Sequence, residues 1–102
     1  MAEVRKLTDT EIRDCLNKLN AWSLDHGKLY KEYTFKDFVA AFAFMTKVAQ
    51  AAEAYAHHPE WFNVYNTVKV HLSTHDVGGI SDRDVTLAQK MDDLAKAEHG
   101  KS

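Results

Sequence analysis

The chain has 102 residues, with 13 Lys and Arg against 15 Asp and Glu and a formal charge of −2 with its six histidines neutral. That length suits one domain of the common size, about 100–150 residues. Apolar residues make up 45% and charged residues 27%, which excludes a disordered chain, and the near-neutral charge argues against binding driven by nucleic-acid phosphates. The only cysteine is Cys15, so no internal disulfide forms and a reducing, cytoplasmic setting is expected. The opening MAEVRKLTDTE has no apolar stretch of the signal-peptide kind, and no apolar run approaches the ~20 residues of a membrane span.

Thr8 and Glu11 have the spacing of a capping box, so a first helix is expected to open there. Ile12, Leu16 and Leu19, with Cys15 beside them, give it an apolar stripe. Strand-favouring segments at 21–24 and 29–35 flank Asp25-His26-Gly27-Lys28 and predict a β-hairpin. A long helix is expected over 36–57, with Phe35, Phe38, Val39, Phe42, Met45, Ala49, Ala52 and Ala56 along one face. Phe44, Val48 and Tyr55 lie off that face, so the helix is apolar on two sides, the pattern of a surface that meets another subunit. Pro59 is expected to end it.

Two short strands follow, over 62–65 and 67–73. In the second, Val68, Val70 and Leu72 share one face, and Lys69, His71 and Ser73 share the other, solvated one. The run 76–80 reads as a turn. Ser81 then caps a last helix, with Asp84 at its third position and Val85, Leu87, Ala88, Met91 and Leu94 as its apolar residues. Asp92-Asp93 reads as a solvated face, and the chain from Glu98 as a frayed tail. The order α-β-β-α-β-β-α predicts an α+β fold: a four-stranded antiparallel sheet covered on one face by helices.

His57, His58 and His75 all fall where the chain leaves an element, and binding groups collect in such places. Glu53 precedes His57 by four residues on the same helix, so their side chains can meet and the carboxylate can fix the imidazole tautomer. The plainer reading is that a His-His pair simply complements the negative end of the helix. Both readings stand at this point. His26 fits a turn, His71 a strand and His99 the tail, while Cys15 fits a small buried hydrophobe. Trp61 and Trp22 suit either the core or a stacking platform. No nucleophile elbow is present, and neither an HExxH motif nor paired cysteines suggest zinc. A zinc site could be assembled from His57, His75 and Asp76 or Glu53, but vicinal histidines seldom aim at one ion and no zinc-motif spacing appears, so no metal is expected. Metal-free acid–base chemistry by imidazoles remains, since both protonation states of a histidine are populated near neutrality.

The stretch Glu53-Ala-Tyr-Ala-His57-His58-Pro59-Glu60-Trp61-Phe62-Asn63-Val64-Tyr65-Asn66, then Leu72-Ser73-Thr74-His75-Asp76 and Ser81-Asp82-Arg83-Asp84, closely resembles pterin-4a-carbinolamine dehydratases. The likeness runs over essentially the whole chain, including Phe35-Lys36-Asp37-Phe38 and Phe44-Met45-Thr46. It implies cofactor-free dehydration of a 4a-hydroxytetrahydropterin to a quinonoid dihydropterin within tetrahydrobiopterin recycling. It also implies His57, His58 and His75 as the catalytic histidines, and Glu53, Ala56, Ser73, Thr74 and Asp76, together with those histidines, as pterin contacts. The reading drawn from it sets His57 and His75 across the ring as acid and base, His58 as a binding group and Glu53 as the partner of His57.

Many animal members carry Asp just before the histidine pair, where this chain has Ala56. Lys69 and His71 also depart from the animal pattern. In animals such proteins serve as dimerisation cofactors of a hepatic homeodomain transcription factor. The alternative function is therefore a module that stabilises a partner's dimer, with a nuclear as well as a cytoplasmic location. The partners implied are a pterin substrate and further copies of the chain, as homodimers through sheet edges and homotetramers through helices. A membrane and direct nucleic-acid contact are not implied.

Overall fold

The computed structural model describes residues 4–99. Its first helix, α1 (Asp9–Lys18), is set by the expected capping box. The Glu11 amide donates to Thr8 Oγ1 at 3.1 Å, and the Thr8 amide donates to Glu11 Oε1 at 2.9 Å. The Arg5 guanidinium clasps the same carboxylate with two bonds of 2.8 and 2.9 Å. Those bonds, Arg5 foremost and the Thr8 amide next, pull the Glu11 carboxyl from 4.5 down to about 2. Ile12, Cys15 and Leu16 turn toward the core but stay partly exposed, and Leu19 closes the buried edge.

Strands β1 (Ser23–Asp25) and β2 (Lys28–Thr34) form the expected hairpin with a tighter turn than its sequence suggested. Asp25 pairs with Lys28, so only His26 and Gly27 form the loop. Both have positive φ, 53° and 75°, the arrangement whose twist matches that of the flanking strands. After helix α2 (Phe38–Tyr55) come β3 (Glu60–Val64) and β4 (Thr67–Leu72), then a short 3₁₀ turn (His75–Val77) and α3 (Asp82–His99). The sheet order is β1-β2-β4-β3, antiparallel throughout, so the α+β arrangement expected from the sequence is the one observed. Leu29, Tyr33, Val68, Val70 and Leu72 lie buried on the face that the helices cover.

Helix α2 is apolar on two sides, but its faces are the reverse of the simplest expectation. Ala40, Ala41, Phe44, Val48 and Ala52 face the core, whereas Phe38, Val39 and Phe42 of the expected inner stripe are exposed. The three alanines let the helix come close to its neighbours, and Phe44 fills the space between Phe35 and Tyr33 at 4.9 and 4.8 Å. The helix starts later than expected because Asp37 caps it, its carboxylate accepting the Ala40 amide at 2.8 Å.

Helix α3 corrects two expectations. Asp92 does not lie on a solvated face: it accepts bonds from Trp22 Nε1 at 3.1 Å, Lys31 Nζ at 2.8 Å and the Tyr33 hydroxyl at 2.6 Å. Burial first, and then the bond to Asp92, push the Tyr33 phenol far above its usual range. Trp22 is thereby a core residue rather than a stacking platform, and Trp61 packs partly buried against the same core. Nor does the chain fray at Glu98. The Glu98 side chain is nearly buried, 3.6 Å from Lys47 Nζ, and the His99 ring stacks on Phe35 at 4.9 Å. The rest of the expected tail, residues 100–102, lies outside the described residues.

Candidate active site

The site begins at the end of α2. The helix stops at Ala56, two residues earlier than Pro59 alone would require, because Ala56 takes a left-handed conformation with φ 54° and ψ 39°. The Ala56 amide bonds the Glu53 carbonyl at 3.1 Å, and the His57 amide bonds the Ala52 carbonyl at 3.0 Å. This pair of bonds closes the helix and turns the chain away from its axis.

His57 therefore lies off the helix, and the four-residue spacing that would have joined it to Glu53 no longer applies. Glu53 instead reaches His58, with Oε1 2.6 Å from Nε2. His57 turns inward, and its Nε2 lies 2.5 Å from Oδ1 of Asp84. Each of two adjacent histidines is thus held at Nε2 by a carboxylate of its own, one exposed and one buried.

Asp84 is fully buried at the start of α3. Its second oxygen accepts the Thr74 hydroxyl at 2.8 Å and the Ser81 amide at 2.9 Å, while the Thr74 and Ser81 hydroxyls lie 2.6 Å apart. One carboxylate ties together the exit of α2, the exit of β4 and the entry of α3. Read as a cap alone, Asp84 was missed as part of this site. The available signal was its place on the stripe with Leu87, Ala88 and Met91, since a carboxylate on an apolar stripe needs a buried partner.

His75 opens the 3₁₀ turn after β4 and is exposed. Gly78, at φ 64°, closes that turn, and the Thr74 amide donates to the Gly79 carbonyl at 2.7 Å. Ala56, His57, His58, Ser73, Thr74 and His75 then line one depression of about 220 Å³, with Asp76 and Arg83 at its side. Every expected site residue except Glu53 borders it, and Glu53 acts through His58.

His58, Ser73, Thr74 and His75 also form a wall of an adjoining cleft of about 660 Å³, whose other side is the hairpin tip, His26 to Lys28, with Glu60. Sequence reading assigned that tip no role. Lys28 Nζ donates to Glu60 at 2.7 Å, which lowers the Glu60 carboxyl. The Asp25 carboxyl is lowered too, first by His71, whose Nε2 lies 2.7 Å away, and then by His26. Among the described residues no three His, Cys, Asp or Glu side chains converge to hold a metal ion.

The sequence profile of the pterin 4 alpha carbinolamine dehydratase family matches residues 5–94, which include both walls of this cleft. The chain belongs to that family. A relative from Solibacter usitatus that bears the name "Putative pterin-4-alpha-carbinolamine dehydratase" is 53% identical over 90 residues, covering 88% of this chain and 95% of the relative. Another from Synechococcus sp. is 51% identical, covering 86% and 95%.

A crystal structure from Brucella melitensis, described as a transcriptional coactivator/pterin dehydratase, superimposes with a TM-score of 0.86 at 41% identity, over 89% of this chain and 99% of that one. A pterin dehydratase-like RuBisCO assembly factor of the alpha-carboxysome shares the fold with a TM-score of 0.63 at 22% identity, covering 74% and 90%. Among the described residues no helix is long and apolar enough to cross a membrane.

Proposed function

We propose that this chain dehydrates 4a-hydroxytetrahydropterins by histidine acid–base catalysis. The observation that carries the reading is the meeting of His58 and His75, from the ends of two different elements, in one depression that His57, anchored on the buried Asp84, also lines. The reaction is an elimination. A base takes the proton from N5, the N5 electrons form the C4a–N5 double bond, and the C4a–O bond breaks as an acid protonates the departing hydroxyl. Water and a quinonoid dihydropterin result, with no change of oxidation state and no electron carrier.

Roles follow from the anchoring. With its Nε2 proton given to Glu53, His58 keeps Nδ1 free as the base. His75, unanchored on the opposite element, is the acid. His57, fixed on Asp84, binds and orients the ring with its remaining nitrogen. This exchanges the roles that sequence reading gave His57 and His58. Ser73, Thr74 and Asp76 meet the ring's amide-like edge, and Ala56 leaves room beside it. The product is the form that a pterin reductase recycles, in keeping with a cytoplasmic enzyme of tetrahydropterin turnover.

A second reading, an interaction module that stabilises a partner's dimer, draws on one observation: the exposed apolar face of α2 at Phe38, Val39 and Phe42. Ultraviolet monitoring of 4a-hydroxytetrahydropterin decay tests the first reading. Faster decay with protein than without is expected, and equal rates would overturn it.

A further inference from the structure

Strand β2 is only half covered on the side of β1. Ser23 opposite Tyr30 is the last pair between the two strands, and Ala21, in the place that would face Glu32, takes a left-handed conformation with φ 62°. Lys31 Nζ holds the Asn20 carbonyl at 2.7 Å and Asp92 of α3 at 2.8 Å. The chain between α1 and β1 is thereby drawn away from the sheet.

Part of an inner strand is left with an open edge. The Phe35 amide bonds the Asn66 carbonyl opposite it at 2.9 Å, so the ladder to β4 runs through Phe35, Tyr33, Lys31 and Leu29. Glu32 and Thr34 point their amides and carbonyls the other way, and among the described residues these four groups have no protein partner. They lie along a cleft of about 490 Å³, between the end of α1 at Lys18 to Asn20 and the side of α3 that bears Asp93 and Lys96. The cleft shares no residue with the two depressions beside the histidines.

A recessed edge of this kind has no room for a second sheet, but it offers a single extended segment two amides and two carbonyls. Charge says which segment. Lys31 and Asp92 satisfy each other, whereas Lys18, Lys96 and Glu32 enter no ion pair among the described residues. Lys18 and Lys96 border the helix side of the cleft, and Asp93 offsets one of them. Glu32 is exposed, with its alternation setting it on the outer face of the sheet. An added antiparallel strand sends its side chains alternately to these two sides. Its residue opposite Tyr33 meets the lysines, and the next one, opposite Glu32, meets that carboxylate.

We propose that this cleft binds an extended segment of a partner protein as an added β-strand along Glu32 and Thr34, with an acidic residue facing Lys18 and Lys96 and a basic one facing Glu32. The probe is the fluorescein-labelled pentapeptide Val-Thr-Glu-Lys-Val-amide, whose Thr, Glu and Lys pair with Thr34, Tyr33 and Glu32. Fluorescence anisotropy is expected to give a Kd on the order of 100 µM. N-methylation of the peptide's Thr and Lys removes the two donors aimed at the β2 carbonyls and should weaken binding about 10-fold. Thr34→Pro deletes one amide that no ladder bond uses, so the sheet stays intact and binding should weaken about 3–10-fold. Glu32→Lys should weaken the same peptide by about 2–5-fold and favour the one with Glu in place of its Lys.

Hydrogen exchange reads the same contact from the protein's side. In the free chain the Glu32 and Thr34 amides should exchange about 10-fold faster than those of Lys31 and Tyr33, and the peptide should slow them. No binding at about 1 mM peptide, equal binding of the N-methylated peptide, or unaltered exchange at Glu32 and Thr34 would overturn the proposal. So would a Glu32→Lys chain that binds both peptides as the wild type does. If Thr34→Pro does not fold, the plain and N-methylated peptides on the wild type decide the matter.

Discussion

His57 and Asp84, 27 residues apart in sequence, meet through a 2.5 Å contact between Nε2 and Oδ1. The carboxylate has no exposed surface and also holds Thr74 and Ser81. Removing one partner of such a cluster strands the others in a medium that solvates them poorly. Asp84→Ala is expected to cost about 3–5 kcal/mol. Asp84→Asn, which keeps one acceptor oxygen, should cost about 1–3 kcal/mol. Urea unfolding of the two variants measures this, and wild-type stability in both would mean that the network does not hold these segments together.

The exchanged histidine roles make a kinetic prediction. His58→Ala and His75→Ala should each lower kcat by about 10²–10⁴, the usual worth of a positioned acid or base. The lower end is expected, because carbinolamines also dehydrate unaided. His57→Ala should act mainly on KM, as loss of ring binding would. Glu53→Ala should lower kcat by about 3–10-fold by freeing the His58 ring, and Glu53→Gln, which keeps an acceptor, by less. Steady-state kinetics on these variants decides the matter. A kcat defect in His57→Ala and His75→Ala, with His58→Ala acting mainly on KM, would restore the roles first read from sequence.

Ala56 carries a left-handed backbone conformation that side chains with a Cβ adopt at a cost of roughly 1–2 kcal/mol. Glycine there removes most of that cost but gains freedom in the unfolded chain. Ala56→Gly is expected to stabilise the fold by about 0.5–1 kcal/mol. Calorimetry should record a Tm higher by a few degrees, and a lower Tm would mean that the alanine methyl makes compensating contacts.

The carboxyl groups of Glu11 and Glu60 are lowered by Arg5 and Lys28, and that of Asp25 by its hydrogen bonds with His71 and His26. A depressed folded-state value adds stability above the unfolded-state value, and that stability is lost as pH falls through the folded one. For Glu11 the window runs from 4.5 down to about 2. Stability should therefore fall as pH drops across it, and Glu11→Gln should make the decline shallower. Denaturation curves at several acid pH values check this; an identical decline in the variant would assign acid lability to other groups.

The outward face of α2 leaves Val39 75% and Phe42 53% exposed. Neighbouring apolar side chains on a small chain are characteristic of a subunit contact. Light scattering at micromolar concentration should give a mass above the 11.6 kDa of one chain, and Phe42→Glu should lower it. A wild-type mass of 11.6 kDa would remove the case for self-association through this face.

By itself the sequence determined what depends on near neighbours. The Thr8–Glu11 box, the hairpin around Asp25-His26-Gly27-Lys28, the alternation of Val68, Val70 and Leu72 and the cap at Ser81 each act within a few residues, so they could be read before any fold was known. The α+β order followed from them, and the histidine-bearing stretches marked the family. Tertiary structure decided everything that required a choice between distant partners. Both faces of α2 are apolar, and only the room left above the sheet chose the one bearing Phe44 and Val48. Asp92 looked like surface until Trp22, Lys31 and Tyr33 arrived from other elements to surround it. Glu53 and His57 had the right spacing for a helical pair, but one left-handed residue at Ala56 ended the helix between them. His57 was thereby turned to Asp84, a residue that periodicity alone places on an apolar face and that only the packed fold supplies with a partner.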